Sequence, residues 1–198
     1  MKKFLQSLLV ATLLFVGIGA APASADMLLL SKLVQSQVPS YCGTITRQAS
    51  SETTELQSEL NDSLDINAIS LTNEVRKSKN GNDIILPVPR FATGGYGYCH
   101  IFNRHMKYSD GDKGTKTASN LSQFVYASYP SYTMDIAMEV INSGVTEHTA
   151  GNGNLYKETY SNIEGQHVRV VYQKTSRWGD RKYDAYDYVI ISMYPFGF

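Results

Sequence analysis

The sequence predicts an α+β fold, with N-terminal helices followed by a small antiparallel sheet. Apolar residues recur at helical spacing in residues 26–37 and again in 133–141. From Leu155 onward the pattern changes to alternation of apolar and polar residues, rich in Val, Ile and Tyr. Helices first and strands afterwards is the order typical of the α+β class.

Residues 1–25 predict a signal peptide that is removed on export. Lys2 and Lys3 give a basic start, residues 8–21 are apolar, and Ala23-Ser24-Ala25 is the small-x-small pattern of a cleavage site. The apolar run is short for a membrane span and is not followed by a second one. We therefore expect a secreted bacterial protein that begins at Asp26 and has no membrane partner after signal cleavage.

The length and charge of residues 26–198 limit the classes of function. Two regions are predicted, a helical or flexible N-terminal extension over 26–90 and an α+β domain over 91–198. Of the 18 basic residues, Lys2 and Lys3 fall in the signal peptide, which leaves 16 against 18 acidic residues and a net charge of −2. Such a chain carries no electrostatic signature for a long polyanion, so a nucleic-acid enzyme would need locally gathered cations.

The first half of the chain predicts one clear helix and one short strand. Asp26 can cap a helix that runs to Gln37 and ends before Pro39. Residues 40–63 are polar and fit a linker or a solvent-exposed helix. Asn80-Gly81 is a strong turn signal, and it precedes a short strand over 84–86.

The second half predicts a loop, a helix and three strands. Residues 107–120 are polar with two glycines, which indicates a loop. Thr133 to Ile141 has a one-sided apolar stripe typical of a helix. The alternating segments 155–160, 167–173 and 185–194 predict strands.

The last two strands predict a face on which chemistry could be gathered. In the final strand, Val189, Ile191 and Met193 are expected on one face and Tyr188, Ile190, Ser192 and Tyr194 on the other. A hairpin centred between residues 179 and 180 would place His167 opposite Ser192. Directly paired residues point to the same face, so His167 should share a face with Ser192 and Tyr194.

Two cysteines predict a disulfide bond between Cys42 and Cys99. An even cysteine count behind a signal peptide favours one bond in an oxidising compartment. Two free thiols are the alternative. A metal site formed with His100 lacks the usual paired spacing of ligands.

The segment Cys99-His100-Ile101-Phe102-Asn103-Arg104-His105 holds two of the four histidines. On a helix His100 and Arg104 share a face, and His105 lies about 140° round from His100. One imidazole could accept a proton near pH 7 while the other donates one, with Arg104 holding an anion. A short amphipathic helix with solvated histidines is the alternative.

The order of motifs resembles that of a known family. His100-Ile101-x-x-Arg104-His105, a lysine-bearing loop, Ser122-x-Phe124, a helix, Glu164-Gly165 before a strand, and Ile191-Ser192-Met193-Tyr194-Pro195 follow one another. This series resembles the toxin ribonucleases of the barnase–EndoU–colicin–RelE superfamily, in particular EndoU-like and RNase A-like toxin domains. The likeness covers about residues 98–195. That family places its second catalytic histidine well beyond the first helix, so here either His105 serves in its place or the chemistry is altered.

The resemblance implies metal-independent cleavage of RNA through the 2′-hydroxyl, with no cofactor and no metal site. The expected partners are RNA and a cognate inhibitor protein. The matching positions, taken as catalytic, are His100, His105, Lys116, Ser192 and Tyr194. Residues expected to bind substrate are Arg104, His167, Arg169 and Trp178, because cations hold phosphates and aromatic rings stack on bases. A secreted binding protein on the same fold without enzymatic activity is the main alternative, and an inhibitor or immunity-type partner is a third.

Overall fold

A computed structural model describes residues 25–42, 70–89, 95–106, 123–179 and 181–196. These ranges form a mixed α+β structure in which helices pack against a six-stranded sheet. The helices are α1 (Ala25–Cys42), α2 (Gly97–Ile101), which continues as a π turn (Phe102–Met106), and α3 (Pro130–Ile141). The strands are β1 (Glu74–Lys77), β2 (Asp83–Leu86), β3 (His148–Thr149), β4 (Leu155–Ser161), β5 (Gln166–Lys174) and β6 (Tyr188–Pro195).

The sheet has the strand order β1-β2-β6-β5-β4-β3. Neighbouring strands are antiparallel except β2 and β6, which pair in parallel through Ile84–Tyr188 and Ile85–Val189. The predicted α+β class is confirmed, but the sheet is not purely antiparallel. Two of its strands, β1 and β2, also precede α2 in the chain. They form a hairpin whose turn contains Gly81, with φ +85°.

One apolar core joins the three helices to one face of the sheet. Its fully buried members come from α1, β2, α2, the π turn, α3, β5 and β6, and they include Val34, Val38, Ile84, Leu86, Tyr98, Ile101, Phe102, Met106, Met134, Ile136, Val140, Val168, Val170, Ile190 and Met193. Burial of such side chains removes apolar surface from water and provides the main driving force for folding. Residues on both sides of position 90 thus contribute to the same core.

Helix α1 runs past Pro39 to Cys42, so the predicted end at Pro39 is wrong. Pro39 removes one backbone donor from the helix, but the last turn is held by other contacts. Cys42 is buried and bonded to Cys99, which confirms the predicted disulfide. The Tyr41 hydroxyl also donates to the Val88 carbonyl at 3.0 Å. The two cysteines are 57 positions apart in the sequence, for which the chain-entropy estimate of the bond is about 4 kcal/mol.

A β-bulge in β6 changes the predicted alternation of its side chains. Val171 pairs with Ser192 but Tyr172 pairs with Ile190, so Ile191 is an extra residue on β6. Ile190 and Met193 therefore both enter the core, while Ser192 and Tyr194 lie on the opposite face. The predicted grouping of Val189, Ile191 and Met193 on one face is wrong for this reason.

The register between β5 and β6 also differs from the predicted hairpin. Val168 pairs with Pro195, and the Phe196 amide donates to the His167 carbonyl at 3.1 Å, so His167 aligns with Phe196 and not with Ser192. The connection contains two 3₁₀ turns, Thr175–Arg177 and Arg181–Tyr183, instead of a tight hairpin. The shift is four residues, an even number, so the predicted shared face of His167, Ser192 and Tyr194 is confirmed.

The other predicted helices and strands agree with the structure in type. The helix over 133–141 is part of α3, and the three alternating segments form most of β4, β5 and β6. Residues 1–24 of the predicted signal peptide lie outside the described residues, as do the loop with Lys116 and Ser122. Of the predicted polar segment 40–63, residues 40–42 are the end of α1 and the rest lies outside the described residues. None of the helices in the described ranges is long and apolar enough to cross a membrane.

Candidate functional site

A close backbone contact fixes the start of the helix that carries the histidines. Gly97 has φ +73°, and a Cβ at this position would lie 2.4 Å from the Pro87 carbonyl oxygen. Only glycine fits, because both the backbone conformation and the space exclude a side chain. The next amide, that of Tyr98, donates to the same carbonyl at 2.8 Å. Helix α2 is thereby attached to the end of β2.

The end of this helix is widened and is held by side chains from elsewhere in the chain. After Ile101 the backbone continues as a π turn, a rare form that is frequently found at functional sites. Its last carbonyls would lack partners in an isolated helix. Here the Arg104 carbonyl accepts from Gln123 Nε2, the His105 carbonyl from the Phe124 amide at 2.8 Å, and the Met106 carbonyl from Gln35 Nε2 at 2.7 Å.

The π turn brings the two histidines together. The ring centroids of His100 and His105 are 6.3 Å apart, with the planes at 71°. His100 is half-buried, His105 is only 7% exposed, and Arg104 between them is exposed. That Arg104 holds an anion between the two histidines stays a prediction.

The pKa of His100 differs from the sequence prediction, which is that both histidines titrate near pH 7. Burial, followed by the positive charges of His105 and Arg104, lowers the pKa of His100 to about 4. At neutral pH the His100 imidazole is therefore uncharged and can accept a proton. The predicted pKa near 7 is wrong for His100, because the sequence does not show that its ring is removed from water beside two cationic groups.

His105 reaches the sheet through Tyr194. The two rings are stacked, with centroids 5.1 Å apart and planes inclined by 28°. The Tyr194 hydroxyl accepts from Arg169 Nη1 at 3.3 Å, and Arg169 is paired with the Glu158 carboxylate through Nε at 2.5 Å. Residues from the π turn and from three neighbouring strands thus form a connected polar chain.

The face of the sheet that carries Tyr194 lies opposite the apolar core. Strand pairing arranges the side chains on this face in three rows that run across β4, β5 and β6. The members of each row are directly aligned, and successive rows are about 7 Å apart because alternate residues on a strand share a face. The rows are Tyr156–Val171–Ser192, Glu158–Arg169–Tyr194 and Tyr160–His167–Phe196. We call this surface the row face.

Arg169 lies at the centre of the row face. Its guanidinium carbon is 4.8 Å from the ring centroid of Tyr156, 5.3 Å from that of Phe196 and 5.8 Å from that of Tyr194. Contacts between a guanidinium and aromatic faces are attractive and orient the cation. Together with the Glu158 carboxylate, they fix a positive group beside the Tyr194 hydroxyl.

The row face contains four of the nine predicted site residues. Tyr194, Arg169 and His167 lie on it, and Ser192 is on the same face but only 8% exposed. Sequence reasoning did not select Tyr156, Glu158, Tyr160 or Phe196. The alternation of Tyr156, Glu158 and Tyr160 along β4 was the signal that could have identified three of them.

Trp178 does not belong to the row face. Its ring packs edge-on against Tyr96 at 4.7 Å, within a small apolar cluster that also contains Ile85, Tyr183 and Val189. Its half-buried ring is thus engaged in the fold. Lys116 lies outside the described residues. Within the described ranges, no three His, Cys, Asp or Glu side chains are grouped as a metal site would require.

Comparison with known proteins gives no relative of this chain: no family model, no curated protein and no solved structure matches it. The candidate site must therefore be interpreted from its own geometry. It consists of the neutral imidazole of His100, the buried imidazole of His105, the hydroxyl of Tyr194, and Arg169 held by the Glu158 carboxylate. Such a set can transfer protons and stabilise negative charge.

Proposed function

We propose that this protein is a secreted, metal-independent ribonuclease that cleaves RNA by transesterification through the 2′-hydroxyl. The observation that carries the proposal is the pair His100 and His105, with ring centroids 6.3 Å apart, set beside Tyr194 and Arg169. Two imidazoles in reach of one phosphate, next to a fixed cation, supply what this reaction needs.

In the proposed reaction His100 is the general base and His105 the general acid. The neutral His100 ring takes the proton of the 2′-hydroxyl, whose oxygen attacks phosphorus. A bond forms from O2′ to phosphorus, and the bond from phosphorus to O5′ breaks. His105 gives a proton to the leaving 5′-oxygen. The products are a 2′,3′-cyclic phosphate and a free 5′-hydroxyl.

Negative charge that develops on the phosphate is stabilised by donors around the histidines. The Tyr194 ring stacks on His105, and its hydroxyl accepts a hydrogen bond from Arg169. The exposed Arg104 lies between the two histidines in the chain. Lys116 and Ser192 are proposed to contribute as in the family that the sequence resembles. Donors aimed at developing charge in a partly dry site contribute more than they would in water.

The resemblance to barnase–EndoU–colicin–RelE toxin domains supports this assignment, as does the signal-like sequence of residues 1–25 for secretion. On this proposal the partners are RNA and a cognate inhibitor protein.

The test uses purified protein that begins at Asp26, with single-stranded RNA as substrate and EDTA present throughout. Cleavage should leave a 2′,3′-cyclic phosphate and should spare DNA of equal sequence, which lacks the nucleophile. His100→Ala and His105→Ala should each slow cleavage about 10²- to 10⁴-fold. His148→Ala is a matched control, because this exposed histidine stacks on Tyr156 and not on the pair. Activity that requires a divalent ion, or full activity without both histidines, would refute the mechanism.

A secreted binding protein without enzymatic activity is the second candidate. The burial of His105, at 7% exposure, favours it, because a buried imidazole reaches a substrate only through a narrow opening. This candidate predicts no cleavage above the buffer control. It also predicts that His100→Ala leaves the affinity for the bound partner unchanged.

A further inference from the structure

The outermost row of the row face is aromatic, with two exposed rings and one half-buried ring, that of Phe196. Tyr160 is 49% exposed although it is one of the larger side chains of the sheet, and His167 is also exposed. Tyr160 pairs directly with His167 across β4 and β5, and His167 is adjacent to Phe196, the residue that follows β6. Ring centroids are 5.5 Å apart for the first pair and 5.6 Å for the second.

These three rings are not needed to fill a core. The apolar core lies on the other face of the sheet, and the small cluster around Trp178 contains none of them. Large aromatic side chains gathered on a sheet surface are typical of a contact surface for a partner. Each aromatic ring presents a π face, which is the feature that an unpaired nucleobase requires for stacking.

The row face joins these rings to the candidate site without a break. His105 stacks on Tyr194, Tyr194 accepts a hydrogen bond from Arg169, and Arg169 lies 5.3 Å from the Phe196 ring. Phe196 then contacts His167. A nucleic acid with a phosphate at the histidine pair would have its neighbouring nucleotide over this outer row, since adjacent rows are about 7 Å apart.

The geometry points to a stacking subsite, formed by Tyr160, His167 and Phe196, that binds an unpaired base of single-stranded RNA next to the phosphate held at His100 and His105. The charges agree with this occupant. Arg169 is the cation between the rings and the histidine pair, and the only carboxylate in the three rows, Glu158, is paired with it. This inference rests on the proposed function for the position of the phosphate, but binding can be measured without cleavage.

The subsite implies a preference for single strands. A base in a duplex is stacked on its neighbours and cannot lie on a protein ring, whereas bases of loops and ends can be splayed out. The outer row should therefore contribute to the binding of single-stranded RNA and not to the binding of a duplex of the same sequence.

The test measures binding and cleavage separately. A fluorescent single-stranded RNA with 2′-O-methyl groups, which cannot be cleaved, is titrated against the protein and followed by anisotropy. Tyr160→Ala should weaken binding about 5- to 150-fold, the range that loss of one base–aromatic stack gives. Tyr160→Phe, which keeps the ring and loses only the hydroxyl, should bind as the unaltered protein does. Because Tyr160 is exposed, both variants should fold, which circular dichroism checks.

The outcomes separate this inference from the proposed function. If the protein cleaves RNA, but the unaltered protein, Tyr160→Ala and Tyr160→Phe all bind the methylated RNA with equal affinity, the subsite is overturned and the ribonuclease stays in place. Ring-dependent binding without any cleavage would support the subsite and reject the ribonuclease. A duplex bound as tightly as the single strand, with the same sensitivity to Tyr160, would also overturn the inference, because paired bases cannot stack on the ring.

Discussion

The ring of His105 lies on the ring of Tyr194, and this contact joins the helix that carries the histidines to the strand at the centre of the sheet. The Tyr194 contact orients the His105 ring, and the backbone of His105 is held separately by the Phe124 amide, which donates to the His105 carbonyl. Tyr194 is in turn fixed by Arg169. The position of the histidine pair therefore depends on the sheet register as well as on the helix.

The pH dependence of cleavage should report the environment of His100. With His100 as general base, kcat/KM should fall on the acid side with a midpoint near pH 4, because the rate needs the neutral ring and its pKa is about 4. Arg104→Gln removes a positive charge that disfavours the imidazolium, so the pKa of His100 and the acid midpoint should both rise. Arg177→Gln, at an exposed arginine of the 3₁₀ turn, is the control. An acid midpoint near 6.5 in the unaltered protein would contradict this assignment.

Glu158→Gln should reduce activity more than stability. The carboxylate holds Arg169 by a charge-assisted bond, and its replacement by a neutral amide should lower kcat/KM roughly tenfold. Both partners are about 30% exposed, so the melting temperature should change little.

The control for that variant is Glu74→Gln. Glu74 forms a comparable ion pair with Arg76 at 3.0 Å, but on the edge strand β1. The Glu74→Gln substitution should leave kcat/KM unchanged. Equal effects of the two substitutions on kcat/KM would show that Glu158 acts only through general stability.

Glycine at position 97 should be indispensable for a steric reason. Gly97→Ala should destabilise the fold by several kcal/mol, since it adds a carbon 2.4 Å from a backbone oxygen to a backbone at φ +73°. Gly95→Ala is the matched control: φ is +66°, but nothing lies within 4 Å of the added carbon. It should cost only about 1 kcal/mol, the strain of the left-handed conformation. Chemical denaturation of the two variants measures the difference, and equal losses would show that the Pro87 contact is unimportant.

Glu164 should make stability depend on pH. Burial raises its pKa from 4.5 to about 7, so the folded state holds this proton more tightly than the unfolded state does. Its stabilising contribution is complete below about pH 4.5 and is lost as the pH rises through 7. Glu164→Gln keeps an acceptor for Gln166 Nε2 and removes the charge. The variant should therefore melt at a higher temperature than the unaltered protein at pH 8, with the difference shrinking toward pH 5.

The pKa of Glu139 is shifted in the opposite direction to that of Glu164. Burial would raise its pKa, but hydrogen bonds from Ser161, Asn162 and Ile163 outweigh this and lower it. Its contribution is present above about pH 4.5 and is lost as the pH falls. Glu139→Gln should therefore lower the melting temperature at pH 8. If Glu164→Gln also lowered the melting temperature at pH 8, the assignment for Glu164 would be wrong; if Glu139→Gln raised it, the assignment for Glu139 would be wrong.

Local patterns in the sequence were sufficient for part of this structure. Period-two alternation identified β4 and β5 and, with the expected hairpin, put His167 on the same face as Ser192 and Tyr194. Cysteine count and a signal-like N-terminus were enough to predict the bond between Cys42 and Cys99. These features depend on residues that are close in sequence or few in number.

Features that depend on distant contacts were not predictable. The π turn is held by Gln35 and Gln123, and no local pattern shows that these side chains meet its carbonyls. The bulge at Ile191 results from how β6 pairs with β5, and a one-residue insertion is invisible to an alternation count. Trp178 was selected as an aromatic ring beside basic residues, but its packing against Tyr96 is a tertiary contact.

The placement of β6 has a consequence for the order in which the molecule can be assembled. β6 follows the other five strands along the chain, yet it lies between β2 and β5 and is what connects the β1–β2 hairpin to the β3–β5 block. A nascent chain that has emerged only as far as Asp187 holds two separate sheet fragments, each with an unpaired edge. It also lacks Ser192 and Tyr194. On the proposed function, a chain truncated before β6 would be inactive, because the histidine pair would lack the tyrosine ring on which His105 stacks.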